Sequence, residues 1–225
     1  MGDLLLWDER NAHLFILKFC KLITGRVKYI MKIILTSSGF ENIESLCKIE
    51  KILNKSFNRI KMLVIPIARK YEYKKKKYLE DYISIGFKEE NISFFNDEEP
   101  EKYRKLNLDL IYVCGGNTFL LKDCLKKSDF EKDIIEYVNN GVVYLGASAG
   151  THIATKSIEH VKYFDDNEVN IRDFNGLNLY PGIVICHYND TRKKIYEELK
   201  TKYNKVETIS DNEILYSKDK EWIKI

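Results

Sequence analysis

Val142-Val143-Tyr144-Leu145-Gly146-Ala147-Ser148-Ala149-Gly150 is the stretch on which the reading of this chain turns. Its first four residues are apolar and predict a buried parallel strand, and Thr151-His152-Ile153-Ala154-Thr155 behind it predicts the opening of a helix. Between them lies Gly-Ala-Ser-Ala-Gly, a G-x-S-x-G pattern in the strand–turn–helix setting that a nucleophile elbow requires. Such a turn is too tight for bulky flanking side chains, hence Gly146, Ala147, Ala149 and Gly150. It lifts one hydroxyl, that of Ser148, above the carboxyl edge of the sheet. The helix start offers unpaired N–H groups to a developing oxyanion. The alternative is a small-residue turn without chemical consequence, and the strand before and helix after weigh against it.

Outward from this elbow, strand and helix patterns alternate. Lys32-Ile33-Ile34-Leu35-Thr36 predicts a first strand, and Glu41 to Asn54 a helix with Ile43, Leu46, Cys47, Ile49, Ile52 and Leu53 on its apolar face. Lys61 to Pro66 predicts a second strand, 69–85 a basic amphipathic helix ended by Gly86, and Asn91 to Phe95 a short third strand. Leu108 to Cys114 predicts a fourth strand running into Gly115-Gly116-Asn117-Thr118, with a helix from Phe119 to Lys126 and another over 129–139. After the elbow comes an irregular stretch, 156–180. It is followed by the strand Gly182 to His187 and a helix from Asp190 to Thr201 with Asp190 as its cap. The tail from Val206 alternates in short pieces, as edge strands or a closing hairpin do. Repeated βα units predict an α/β fold with a mostly parallel sheet and helices on both faces, its ligands at the carboxyl ends of the strands.

Residues 1–30 fit this scheme poorly. Asp8, Glu9 and Arg10 precede Leu14-Phe15-Ile16-Leu17-Lys18-Phe19-Cys20, an order opposite to that of a secretory leader. The expected organisation is an N-terminal extension, 1–30, and one α/β domain, 31–225. The 225 residues suffice for one sizeable core. With 37 basic against 34 acidic residues, the charge nearly cancels and does not argue for nucleic acid or an anionic membrane as partner. Lys74 to Lys77 reads as a solvated helix face. No stretch has the length of a membrane span. Five cysteines, without a C-x-x-C pair or zinc spacing, predict a reducing, cytoplasmic setting, with Cys114 and Cys186 as small buried hydrophobes.

Three strand ends carry residues that packing alone does not require: Gly115-Gly116-Asn117, Ser148 and His187. A serine needs a base to take its proton, and the base needs an acid to hold its tautomer. Of the four histidines, His13 lies in the extension, His160 in a polar loop and His152 on the helix after the elbow. His187 alone follows a buried apolar run, as a base or as a satisfied core histidine. Asp165 and Asp166, in the loop between nucleophile and base, are the candidate acids, with a solvated loop pair as the bland reading. Gly116 and Ala149 supply candidate oxyanion N–H groups.

These motifs, with Val113 to Leu121, Gly146 to Gly150, Gly176-Leu177-Asn178-Leu179 and His187-Tyr188, resemble the dipeptidase E and cyanophycinase type of serine peptidases, from Met31 to the tail. The resemblance implies a class I glutamine-amidotransferase-like α/β fold, a flavodoxin-like three-layer sandwich, with serine where the amidotransferases carry cysteine. It implies Ser148 as nucleophile, His187 as base, Gly116 and Ala149 as oxyanion donors with Asn117 beside them at the substrate, and an acid near Asp165 or Asp166, with Asp165 favoured. The expected activity is cleavage of a small peptide substrate, with no metal or organic cofactor needed. Cys114 replaces a glycine of dipeptidase E, Cys186 a proline, and the loop after His187 is shorter, so a preference for aspartyl dipeptides carries over weakly. Arg192 stands in that loop, either to bind a substrate carboxylate or to cap its own helix. Two other readings compete: an α/β-hydrolase esterase, disfavoured because the interval between Ser148 and His187 has room for one loop and one strand, and a non-catalytic ligand-binding member of the same fold.

Overall fold

A computed structural model of the chain describes residues 32–69, 75–218 and 221–225. The extension 1–30 lies outside the described residues, as does most of the first turn expected for the basic helix. Strand β1 (Ile33–Thr36) is buried along its whole length and lies beside β5 (Val143–Ala147), which carries the elbow. Around this pair stand β2 (Met62–Ile65), β3 (Ile92–Phe94) and β4 (Leu110–Val113), all parallel, in the order β3-β2-β4-β5-β1. The sheet is completed antiparallel by β8 (Ile214–Lys218) on β1 and β9 (Glu221–Lys224) on β8, the closing hairpin expected of the tail.

The continuous apolar runs of β1, β2 and β4 follow from burial of both sheet faces. On one face Ile34, Val64, Tyr112 and Leu145 pack against α1 (Ile43–Leu53) and α2 (Lys75–Ser84). On the other, Leu35, Leu63, Ile111 and Tyr144 meet α3 (Thr118–Lys127), α4 (Phe130–Asn139) and the short α5 (Ala149–Ala154). Neighbouring residues of one strand thus serve opposite cores, as the period of two requires.

Three local expectations change. Ile43 opens α1 but is 70% exposed, and Cys47 is exposed as well, so the helix buries a narrower face centred on Ile49. Asp190 lies inside a 3-10 turn that leads into α6 (Lys193–Lys202) rather than at its cap, and that turn is capped by Asn189, whose Oδ1 accepts the Thr191 N–H. His160 is buried, its Nδ1 3.1 Å from Ser157 O and its Nε2 3.0 Å from Val184 O.

The larger departure concerns the strand before His187. That strand, β6 (Ile183–Ile185), does not join the main sheet. It pairs in parallel with β7 (Val206–Thr208) as a separate two-stranded sheet. Val184 and Cys186 face the main core, while Ile183 and Ile185 pack with Leu199 of α6. This small sheet brings His187 to the carboxyl edge from outside the main ladder.

Candidate active site

The elbow's shape is set by close backbone approach. A Cβ on Gly146 would stand 2.5 Å from Gly150 O, and one on Gly150 2.1 Å from Val113 O, so neither position admits a side chain without backbone movement. Ser148 itself adopts φ 48° and ψ −105°, a strained conformation for a residue with a side chain and one that concentrates at functional turns. Thr151 reinforces the bend, donating from Oγ1 to Thr36 O at 2.7 Å and accepting the Thr36 N–H at 3.0 Å. Ala149 is the first residue of α5, where helix geometry leaves its N–H without an intrahelical acceptor.

Ser148 Oγ lies 3.1 Å from His187 Nε2, within reach for proton transfer. His187 is held at φ 51°, and its Nδ1 faces Asp211 Oδ1 at 2.5 Å. Both ring nitrogens are therefore engaged, by a hydroxyl on one side and a carboxylate on the other. The structure sets these three side chains in the serine–base–acid order of a catalytic triad. The side chains of His187 and Asp211 are 38% and 62% exposed, so substrate and solvent both reach the array.

The acid differs from the one expected. Asp165 is not at His187. Its Oδ2 accepts the Thr118 N–H at 2.7 Å, at the start of α3. Burial raises its carboxyl above the ordinary value, against the lowering effects of the Thr118 bonds and the Arg192 charge. Asp166 is exposed, and its backbone carbonyl takes a hydrogen bond from Asn117 Nδ2 at 2.9 Å. The physical reason lies in the small sheet. Parallel pairing of β6 and β7 puts their carboxyl ends side by side, so the residues after β7 reach the imidazole, whereas the 165–166 loop is tied to α3. The alternation of short pieces in the tail marked β7, but nothing in the sequence said which strand it pairs with.

Asn117 caps α3, its Oδ1 accepting the Leu120 N–H at 2.9 Å, a contact worth about 1 kcal/mol. With its amide also on Asp166 O, this side chain ties the loop that borders the site to the start of α3. Gly116 takes φ 137°, a region open to glycine, directly before that cap. Arg192 packs across the end of β6: its Nη1 donates to Cys186 O at 2.5 Å and its guanidinium lies 4.2 Å from the Phe164 ring centroid. Cys186 is buried, and desolvation pushes its thiol well above the usual range, which keeps it protonated. His152, one turn beyond Ser148, is buried with no hydrogen-bond partner at Nε2, and desolvation lowers its pKa well below the usual histidine value. Among the described residues, no three His, Cys, Asp or Glu side chains gather as a metal-ligand set.

The model of peptidase family S51 matches residues 33–225. The chain belongs to peptidase family S51. Its similarity to the uncharacterized peptidase Lmo0363 of Listeria monocytogenes is 34% identity over 155 residues, 66% of this chain and 74% of that protein. To peptidase E of Nostoc sp. PCC 7120 it is 29% over 147 residues, 64% and 57% of the two chains. A crystal structure of a candidate peptidase E protein from Listeria monocytogenes EGD-e superposes with a TM-score of 0.70 at 28% identity, covering 86% of this chain and 97% of that one. A peptidase from an acI-B1 actinobacterium shares the fold, with a TM-score of 0.62 at 20% identity and 90% of both chains covered. This S51 member is thus a serine-type peptidase on an α/β fold, and the α/β-hydrolase esterase reading falls away. No described helix is long and apolar enough to cross a membrane.

Proposed function

We propose that this S51 peptidase cleaves short peptides through an acyl-enzyme on Ser148. His187 Nε2 takes the Ser148 proton as Oγ attacks the scissile carbonyl, then returns it to the leaving amine. Asp211, rather than Asp165, holds the Nδ1–H tautomer and stabilises the imidazolium that forms. The N–H groups of Gly116 and Ala149 receive the oxyanion of the tetrahedral intermediate. Water then attacks the acyl carbon and gives a proton to His187 Nε2, and collapse of the second tetrahedral intermediate breaks the bond to Ser148 Oγ, returns that proton to the serine and releases the acid product. The observation that carries this reading is the contiguous array of Ser148 Oγ, His187 and Asp211, at 3.1 Å and 2.5 Å.

Short peptides are favoured as substrates because relatives bear the name peptidase E. Aspartyl dipeptides are the first to test. Arg192 would serve their carboxylate with the guanidinium N–H groups that Cys186 O does not engage. A cytoplasmic setting fits the unpaired pattern of the cysteines. The reading is tested by labelling the purified chain with a fluorophosphonate probe and by assaying a panel of di- and tripeptides. Labelling and turnover should both vanish in Ser148→Ala and in His187→Ala. Peptide turnover that survives Ser148→Ala would reject the mechanism. Failure of the folded wild type to label or turn over any peptide would favour the non-catalytic, ligand-binding reading.

A further inference from the structure

Nucleophile and base belong to two sheets that share no strand ladder. Ser148 follows β5 of the seven-stranded sheet, and His187 follows β6 of the two-stranded one. Between them the chain runs through the largely irregular stretch after α5. Their separation must therefore be set by something that touches both.

Two adjacent residues at the end of β1 do so. Thr36 O accepts the Ser148 N–H at 3.0 Å. The next residue, Ser37, is 2% exposed, and its Oγ accepts the His187 N–H at 2.9 Å. The same hydroxyl donates to Ile209 O at 3.0 Å, and Ile209 O also takes the Tyr188 N–H at 3.0 Å. Ser37 thus fastens both strands of the small sheet, just beyond their carboxyl ends, to the end of β1 in the large one. We propose that Ser37 is a positioning residue that sets the distance between Ser148 Oγ and His187 Nε2.

The other links across this seam act elsewhere. Cys186 Sγ lies 3.9 Å from Thr36 O and 3.8 Å from Ser148 O, long contacts from a weak donor. Ser38 Oγ reaches Asp211 Oδ1 at 3.4 Å and Ser45 Oγ reaches Asp211 O at 3.2 Å, and both hold the acid. Ser37 holds the backbone of the base itself, at a residue whose positive φ needs external support. Removing its hydroxyl leaves the His187 N–H and one acceptor of Ile209 with weaker partners, and relaxing φ of His187 swings the imidazole away from Oγ.

The inference rests on the serine-peptidase reading, and the experiment separates the two. The full chain is prepared as wild type, Ser37→Ala, Ser37→Cys and Ser37→Thr. Each is followed by its rate of fluorophosphonate labelling, by the downfield proton resonance of the His187 Nδ1–H···Asp211 bond, and by circular dichroism and melting temperature. Ser37→Ala should remain folded, label about tenfold to a hundredfold more slowly, and show a shifted or broadened proton, the scale expected of a displacement near 1 Å. Ser37→Cys, which keeps the volume but accepts weakly, should also label slowly, and Ser37→Thr, which keeps the hydroxyl, should recover most of the wild-type rate. Wild-type labelling and an unmoved proton in folded Ser37→Ala or, if that variant does not fold, in Ser37→Cys, would overturn the proposal. If the wild type itself does not label, the catalytic reading fails, and the proton resonance still decides whether Ser37 positions His187.

Discussion

His187 Nδ1 and Asp211 Oδ1 stand 2.5 Å apart although they enter the site from different strands of the small sheet. Asp211 is therefore the carboxylate whose loss should disturb the imidazole tautomer. Asp211→Asn is expected to lower kcat, and the rate of fluorophosphonate labelling, by about a hundredfold or more, less than for a fully buried triad acid because the group is largely exposed. Stopped-flow or gel-based labelling measures the rate. A variant that labels as fast as wild type would remove Asp211 from the mechanism.

Asp165 makes a different prediction. Its folded-state carboxyl is raised, chiefly by burial. A raised acid contributes stability below its unfolded pKa and loses it as pH rises through the folded value. Ionised Asp165 thus opposes folding at neutral pH. Asp165→Asn, which keeps an oxygen for the Thr118 N–H, should be at least as stable as wild type at pH 7 and lose that advantage near pH 3. Urea denaturation at the two pH values reads the difference, and a marked destabilisation at pH 7 would contradict it.

The buried histidines predict an acid limb. Desolvation lowers His160 to about 4, and His152, whose ring lies 5.3 Å away, is lowered as well. Groups held neutral in the fold but protonated in the unfolded chain give stability that is complete above about pH 6.5 and is lost as pH falls toward 4. The slope should approach about 1.4 kcal/mol per pH unit for each ring. His160→Gln should flatten the chemical-denaturation profile over that window, and an unchanged slope would show that His160 does not titrate there.

Gly150→Ala tests the elbow's packing. The added Cβ would meet Val113 O at 2.1 Å, a backbone atom of the adjacent strand β4 that cannot give way by rotamer change. We expect a loss of about 3 kcal/mol or more, or failure to fold, measured by thermal or urea unfolding. A stability within about 0.5 kcal/mol of wild type would mean that the turn relaxes freely.

Thiol chemistry provides a fifth, independent check. Cys47 is exposed, whereas Cys186 is buried beside Ser148 with its thiol held protonated. Iodoacetamide should modify Cys47 in the native protein, spare Cys186, and leave peptide hydrolysis intact. Inactivation that tracks Cys186 alkylation would assign the nucleophile to sulfur.

Much of the site could be read directly because its signals are local. The elbow needs small residues at fixed offsets around one serine, and a strand before it and helix after it were visible in the same stretch. His187 stood out because a polar ring followed an apolar run. His160 was misread because its partners, Ser157 O and Val184 O, are backbone carbonyls that leave no trace in composition. Ser37 gave no signal at all, since a serine after a strand is commonplace and its partner lies far along the chain.

What the amino-acid order indicated by itself was therefore the short-range part: the βα alternation, the buried runs, the G-x-S-x-G bend, and the serine and histidine that the fold brings to 3.1 Å of one another. What only the tertiary structure decided was strand partnership: that β6 leaves the main sheet to pair with β7, that Asp211 consequently replaces Asp165 beside His187, and that Ser37 joins the two sheets. The reason is physical. Backbone ladders are made of the same N–H and C=O groups in every strand, so the sequence marks where a strand lies far more clearly than which strand it will join.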